Sequence, residues 1–151
     1  MEANVFKKEH VFININANNK EDVLKFISKK AEELDVTKES DKVFDGLMER
    51  ELQFSTNLGE YIAIPHTKND AVLTPTVLVL KFNEDIVWNE GEEKVKLAIN
   101  LLMPGQSEGN THLKLLSALS RKLIHEDFKN ALLNSNNIEE ITSLINEALR
   151  L

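Results

Sequence analysis

Cysteine is absent from the 151 residues. That excludes disulfide bonds, thiol nucleophiles and cysteine-ligated zinc or iron–sulfur centres, and it fits a reducing compartment. Positive charge is in short supply: 18 Lys and Arg stand against 25 Asp and Glu, for a formal net charge of −7. A nucleic-acid partner requires a basic face to neutralise phosphates, so that class is set aside. An acidic surface suits a basic protein whose encounter it speeds. Long apolar runs are missing as well. The opening stretch MEANVFKKEHVFININ has no signal-peptide core, and no window is long and apolar enough to cross a bilayer. The expectation is a cytoplasmic protein with one domain over residues 1–151, large enough to bury a core without staples.

The periodicity of the chain switches several times. VFININ (Val11–Asn16) alternates apolar and polar as a half-buried strand does. The next segment predicts a helix capped by Asn19, with Val23, Ile27, Ala31 and Leu34 on one face. A second helix is predicted from about Ser40, with a stripe of Val43, Leu47, Arg50 and Phe54. YIAIPH reads as a short strand ended by its proline. Thr76–Phe82 and Val95–Met103 are apolar runs suited to the middle of a sheet covered on both faces, with a turn near Asn89–Gly91 between them. The last third is helical. Its first helix is capped by Asn110 or Thr111 and aligns Leu113, Leu116, Leu119 or Ser120, and Leu123; EDFKNALLN is a short helix; the terminal helix aligns Ile138, Ile141, Leu144 or Ile145, and Ala148 or Leu149. The expected fold is a single α/β domain, a mixed sheet with helices packed on both faces. Strand order is not readable from these patterns.

Several reaction classes lack their parts. PGQSEG matches G-x-S-x-G with Ser107 as the serine, between a strand and a helix. A triad needs a well-separated acid and then a histidine, whereas Glu108 adjoins the serine and Glu126 and Asp127 come after the last histidine, His125. A glycine-rich loop containing serine is the better reading. No phosphate-binding G-x-x-x-x-G-K-[ST] loop and no H-E-x-x-H helix occurs, and the spacing of His10, His66, His112 and His125 promotes no metal site.

Two histidines stand apart by setting. His66 follows a strand–proline unit in which Pro65 fixes the direction of the chain; a hydrogen-bonded structural histidine and a functional one are both compatible with this. His112 falls in the first turn of a helix entered through Gly109 and Asn110, where unpaired amides favour an anion; a solvated helix-start residue is the alternative. Arg50 lies on a buried stripe. It either snorkels to water or aims its planar fork at a phosphoryl group.

The stretch RELQFSTNLGEYIAIPHTKNDAV changes the balance. Arg50-Glu51 at a helix end, Ser55-Thr56, Gly59, and then Ile62-Ala63-Ile64-Pro65-His66 closely resemble the active-site segment of the fructose/mannitol-type enzyme IIA domains of the bacterial phosphoenolpyruvate-dependent sugar phosphotransferase system. GNTHLKLLSALSRKL is similar to the second signature of that family, a histidine opening a helix after the last long strand. The resemblance covers nearly the whole chain. One departure is Glu60-Tyr61, where many relatives carry Gly or Asn-Gly.

The resemblance implies that His66 is a nucleophile accepting a phosphoryl group from phospho-HPr and passing it to an enzyme IIB, with a membrane IIC component served indirectly. It implies that His112 lies near His66 and stabilises the phosphoryl group, and that Arg50 supplies cationic support. Ser55 and Thr56 are candidates to fix the His66 ring or the phosphate. Neither a cofactor nor a metal is implied. The alternative within the same family is a regulatory module whose His66 phosphorylation controls protein partners rather than transport.

Overall fold

The two strand-length apolar runs pair with each other at the middle of the molecule. In the computed structural model, which describes residues 5–106 and 111–150 apart from the side chains of 111 and 112, the run from Thr76 becomes strand β5 (Thr76–Ile86) and the next becomes β6 (Val95–Pro104). They run antiparallel, in register from Thr76↔Leu102 to Lys81↔Leu97. Numbered in chain order, the other elements are β1 (Val11–Ile15), α1 (Lys20–Glu33), α2 (Ser40–Gln53), β2 (Asn57–Gly59), β3 (Ile62–Ala63), β4 (His66–Asn69), α3 (Thr111–Leu123), α4 (Glu126–Asn134) and α5 (Ile138–Leu149). β1 lies parallel to β5; β3 and then β4 lie parallel to β6; β2 closes antiparallel onto β3. The sheet is therefore mixed, as expected.

Alternation along the central strands divides the core between two faces. Val77, Val79, Leu97, Ile99, Leu101 and Met103 meet Leu115, Leu119 and Phe128 from α3 and α4 and Ile141 and Ile145 from α5. Leu78, Leu80, Ala98 and Leu102 meet Val23, Leu24 and Ile27 from α1 and Val43 and Leu47 from α2. Both faces being covered explains why the two runs lack polar alternation. Asn19 caps α1 by accepting from the Asp22 amide at 2.8 Å, and Asn137 caps α5 through the Glu140 amide at 2.9 Å.

Tertiary packing departs from the sequence patterns at three places. Phe54 does not join the α2 stripe: the helix ends at Gln53, the backbone turns extended, and Phe54 is 77 % exposed. In α3 the buried stripe is Leu115, Ala118, Leu119 and Leu123, while Leu113 faces out; the leucine-rich segment offers two stripes, and the sheet selects one. Pro65 interrupts a strand rather than ending it. β3 stops at Ala63, and the chain rejoins the same neighbour at His66, opposite Leu101. His66 is thus the buried first residue of a strand, and Tyr61 lies in the preceding turn. Asn110, one of the two candidate caps of α3, and Ser107 lie outside the described residues.

Candidate functional site

Helix α2 lies antiparallel against β4 and brings Arg50 to His66. Three residues one helical face apart carry the contact. The Asn69 side-chain Nδ2 donates to the Lys42 carbonyl at 2.9 Å, Gly46 backs onto Thr67, and Arg50 meets His66. Eight helical residues rise about 12 Å, close to the roughly 10 Å of three strand residues, so the two elements stay in step. Gly46 is what permits the approach: a Cβ there would sit 2.5 Å from both Thr67 Oγ1 and Asn69 Nδ2.

The imidazole is held at both nitrogens. Nδ1 lies 2.8 Å from the Ile64 carbonyl oxygen, two residues back around the proline. A carbonyl only accepts, so Nδ1 carries the proton. Arg50 Nε donates to Nε2 at 3.1 Å, and Arg50 Nη1 donates to the Phe54 carbonyl at 2.6 Å. His66 is therefore a neutral Nδ1–H tautomer with its Nε2 lone pair directed at the guanidinium. Burial is the main cause that lowers its pKa below the ordinary histidine value; the Arg50 charge acts the same way, while the Ile64 carbonyl and Glu51 oppose it. A neutral imidazole at neutral pH is a competent nucleophile.

Below Arg50 in α2 sits Glu51, 5 % exposed. Its carboxylate accepts from the Thr56 amide at 3.2 Å, from the Thr56 hydroxyl, and from the indole of Trp88 at 3.1 Å. The hydroxyl proton of Thr56 is thereby committed to Glu51. That of Ser55 goes to Glu92 at 3.0 Å, in the turn between β5 and β6. Arg50 and His66 are thus brought together, whereas Ser55 and Thr56 tie the intervening segment to acidic side chains. His112 belongs to the first turn of α3, and its side chain lies outside the described residues. Among the described residues, no group of three or more His, Asp or Glu side chains is arranged to hold a metal ion, and no helix is long and apolar enough to cross a membrane.

Sequence reading did not assign roles to Glu51, Gly46 or Trp88. A signal existed for two of them: an acid next to the arginine, and a glycine inside a helix, which marks a close approach.

Residues 4–148 match the family described as phosphoenolpyruvate-dependent sugar phosphotransferase system, EIIA 2. The chain belongs to that family. This EIIA protein is 35 % identical over 131 residues to the fructose-specific EIIA component of Haloferax volcanii, covering 86 % of the chain and 84 % of that relative. It is 33 % identical over 148 residues to the mannitol-specific EIICBA component of Pasteurella multocida, covering 95 % of the chain but only 23 % of that much longer relative. The nitrogen regulatory protein IIA-Ntr of Neisseria meningitidis shares the fold, with a TM-score of 0.84 at 24 % identity over 93 % of this chain and 96 % of that one. So does the mannitol IIA of Escherichia coli in its complex with phosphorylated enzyme IIB, at 0.79 and 23 % identity, over 94 % of this chain and 97 % of that one. The EIIA fold and the expected family are therefore established together.

Proposed function

We propose that this EIIA protein is a phosphoryl carrier in which His66 Nε2 takes a phosphoryl group from a phosphohistidine of HPr and delivers it to an enzyme IIB for sugar uptake. The observation that carries the reading is the two-sided hold on His66: the Ile64 carbonyl on Nδ1–H and Arg50 on Nε2. In the forward step the Nε2 lone pair forms the N–P bond as the donor N–P bond breaks. The ring becomes a phosphorylated imidazolium, and the Ile64 carbonyl then accepts from a more acidic N–H. Arg50 leaves the lone pair and turns its fork to the phosphoryl oxygens, where charge must be stabilised during an in-line transfer. His112 is assigned to the same oxygens.

The complex of mannitol IIA with phosphorylated IIB supports IIB as the type of acceptor. The test is intact-mass analysis after incubation with phosphoenolpyruvate, enzyme I and HPr, for wild type and His66→Ala. One acid-labile phosphate on wild type and none on the variant is expected. An unlabelled wild type beside a labelled control IIA overturns the proposal. Subsequent loss of the label to a cognate IIB separates carriage toward a transporter from a purely regulatory phosphorylation.

A further inference from the structure

The carboxylate of Glu51 is buried beside the site, touches no reacting atom, and makes no ion pair among the described residues. A buried carboxylate is costly unless its acceptor sites are filled. Here Thr56 fills them from its amide and its hydroxyl, and Trp88, the single tryptophan of the chain, adds its indole N–H. Thr56 is itself 3 % exposed, so its amide has no water to fall back on.

From Thr56 the connection continues to His66. The Thr56 carbonyl accepts the Ile64 amide at 2.9 Å, and the Ile64 carbonyl accepts Nδ1–H of His66 at 2.8 Å. These two bonds use the two polar groups of one residue, so the orientation of the Ile64 backbone is common to both. Regular pairing of β2 with β3 ends nearby, at Asn57↔Ala63. Beyond it, the Ile64-to-Thr56 bond holds the chain just before Pro65. We infer that Glu51 is a positioning residue that selects the Nδ1–H tautomer of His66, acting through Thr56 and the Ile64 carbonyl. The other tautomer would place a proton on Nε2, where an attacking lone pair is needed.

The consequence for phosphoryl transfer rests on the carrier reading of His66, but the tautomer does not. The experiment is therefore two-bond 1H–15N correlation of the His66 ring above its titration range. It uses full-length wild type, Glu51→Leu, Glu51→Gln and the double variant Thr56→Val/Trp88→Phe, with His66→Gln for assignment. Wild type is expected as Nδ1–H alone. Glu51→Leu, which removes every acceptor, is expected to give a mixture of both tautomers and a phosphoryl-acceptance rate lower by roughly tenfold, the scale on which orienting partners of functional histidines act. Glu51→Gln keeps one oxygen for the Thr56 amide and the indole, and its NH2 can donate to a turned Thr56 hydroxyl. It is expected to restore the wild-type pattern, which a role through charge alone would not allow. The double variant is expected to move the ring shifts part of the way.

A folded Glu51→Leu protein with the wild-type tautomer overturns the inference. Should that variant not fold, unchanged ring shifts in the double variant overturn it equally. Absence of phosphorylation on wild type defeats the carrier reading instead, and leaves the tautomer result standing.

Discussion

Arg50 Nε donates to His66 Nε2 at 3.1 Å, so the guanidinium rests on the Nε2 lone pair, the one that the proposed transfer uses. The same contact holds the ring in place, and in the proposed transfer the incoming phosphoryl group must displace it.

Replacing Arg50 by Met removes one of the causes that lower the His66 pKa. The folded pKa then rises, so protonation begins at a higher pH and the acid limb of the rate of phosphoryl acceptance shifts upward. The rate at its plateau falls by roughly 10²-fold, as when one aimed donor is lost from a charge-stabilising site. Arg50→Lys keeps the charge but not the fork, and recovers only part of the rate. Rapid-quench phosphorylation across pH, with NMR titration of His66, reads both quantities.

Gly46→Ala would stabilise an exposed helix by about 1 kcal/mol. At this position the added methyl meets Thr67 and Asn69, and overpacking costs roughly 1–3 kcal/mol. The net change is a loss of stability in urea unfolding. It is accompanied by slower phosphorylation, because α2 and Arg50 are pushed off β4. A variant as stable and as active as wild type would mean that the helix yields without moving its arginine.

His10 is buried, donates from Nδ1 to the Val77 carbonyl at 3.1 Å and lies edge-on to Phe6. Burial, aided by Lys7, lowers its pKa below 6.5. The unfolded chain therefore takes up a proton there before the folded one does, and stability declines as pH falls below about 6.5. Urea midpoints measured between pH 7.5 and 5 should decline less in His10→Gln than in wild type. Parallel curves would remove His10 as a source of the dependence.

Two adjacent non-glycine residues, Glu60 and Tyr61, hold positive φ angles of 56° and 72° in the turn from β2 to β3. A two-residue hairpin turn of this kind favours Asn-Gly. Tyr61→Gly relieves the strain, and an increase of roughly 0.5–1 kcal/mol in unfolding free energy is expected. Glu60→Gly relieves similar strain but strips Lys129, whose side chain is only 9 % exposed, of one of its two carboxylate partners, Glu126 remaining at 3.0 Å. Its unfolding free energy should fall below that of Tyr61→Gly. The reverse order in denaturant melts would show that the ion pair does not hold the turn.

The sequence by itself determined whatever is written in neighbouring residues. Asn19 caps its helix because its oxygen reaches an amide three residues on. Val43 and Leu47 share a face because they are one helical turn apart. Thr76–Phe82 reads as a central strand because residues bound for both faces are apolar. The Pro-His segment marked the family for the same reason, being contiguous. Tertiary structure alone decided the partners: Arg50 on His66 across 16 positions and Trp88 on Glu51 across 37. It also decided that His66 rejoins the sheet after the proline, that α3 buries Leu115 rather than Leu113, and that Phe54 faces outward. Hydrogen bonds to a distant backbone and the choice between two apolar stripes depend on what packs against them, and no local window contains that information.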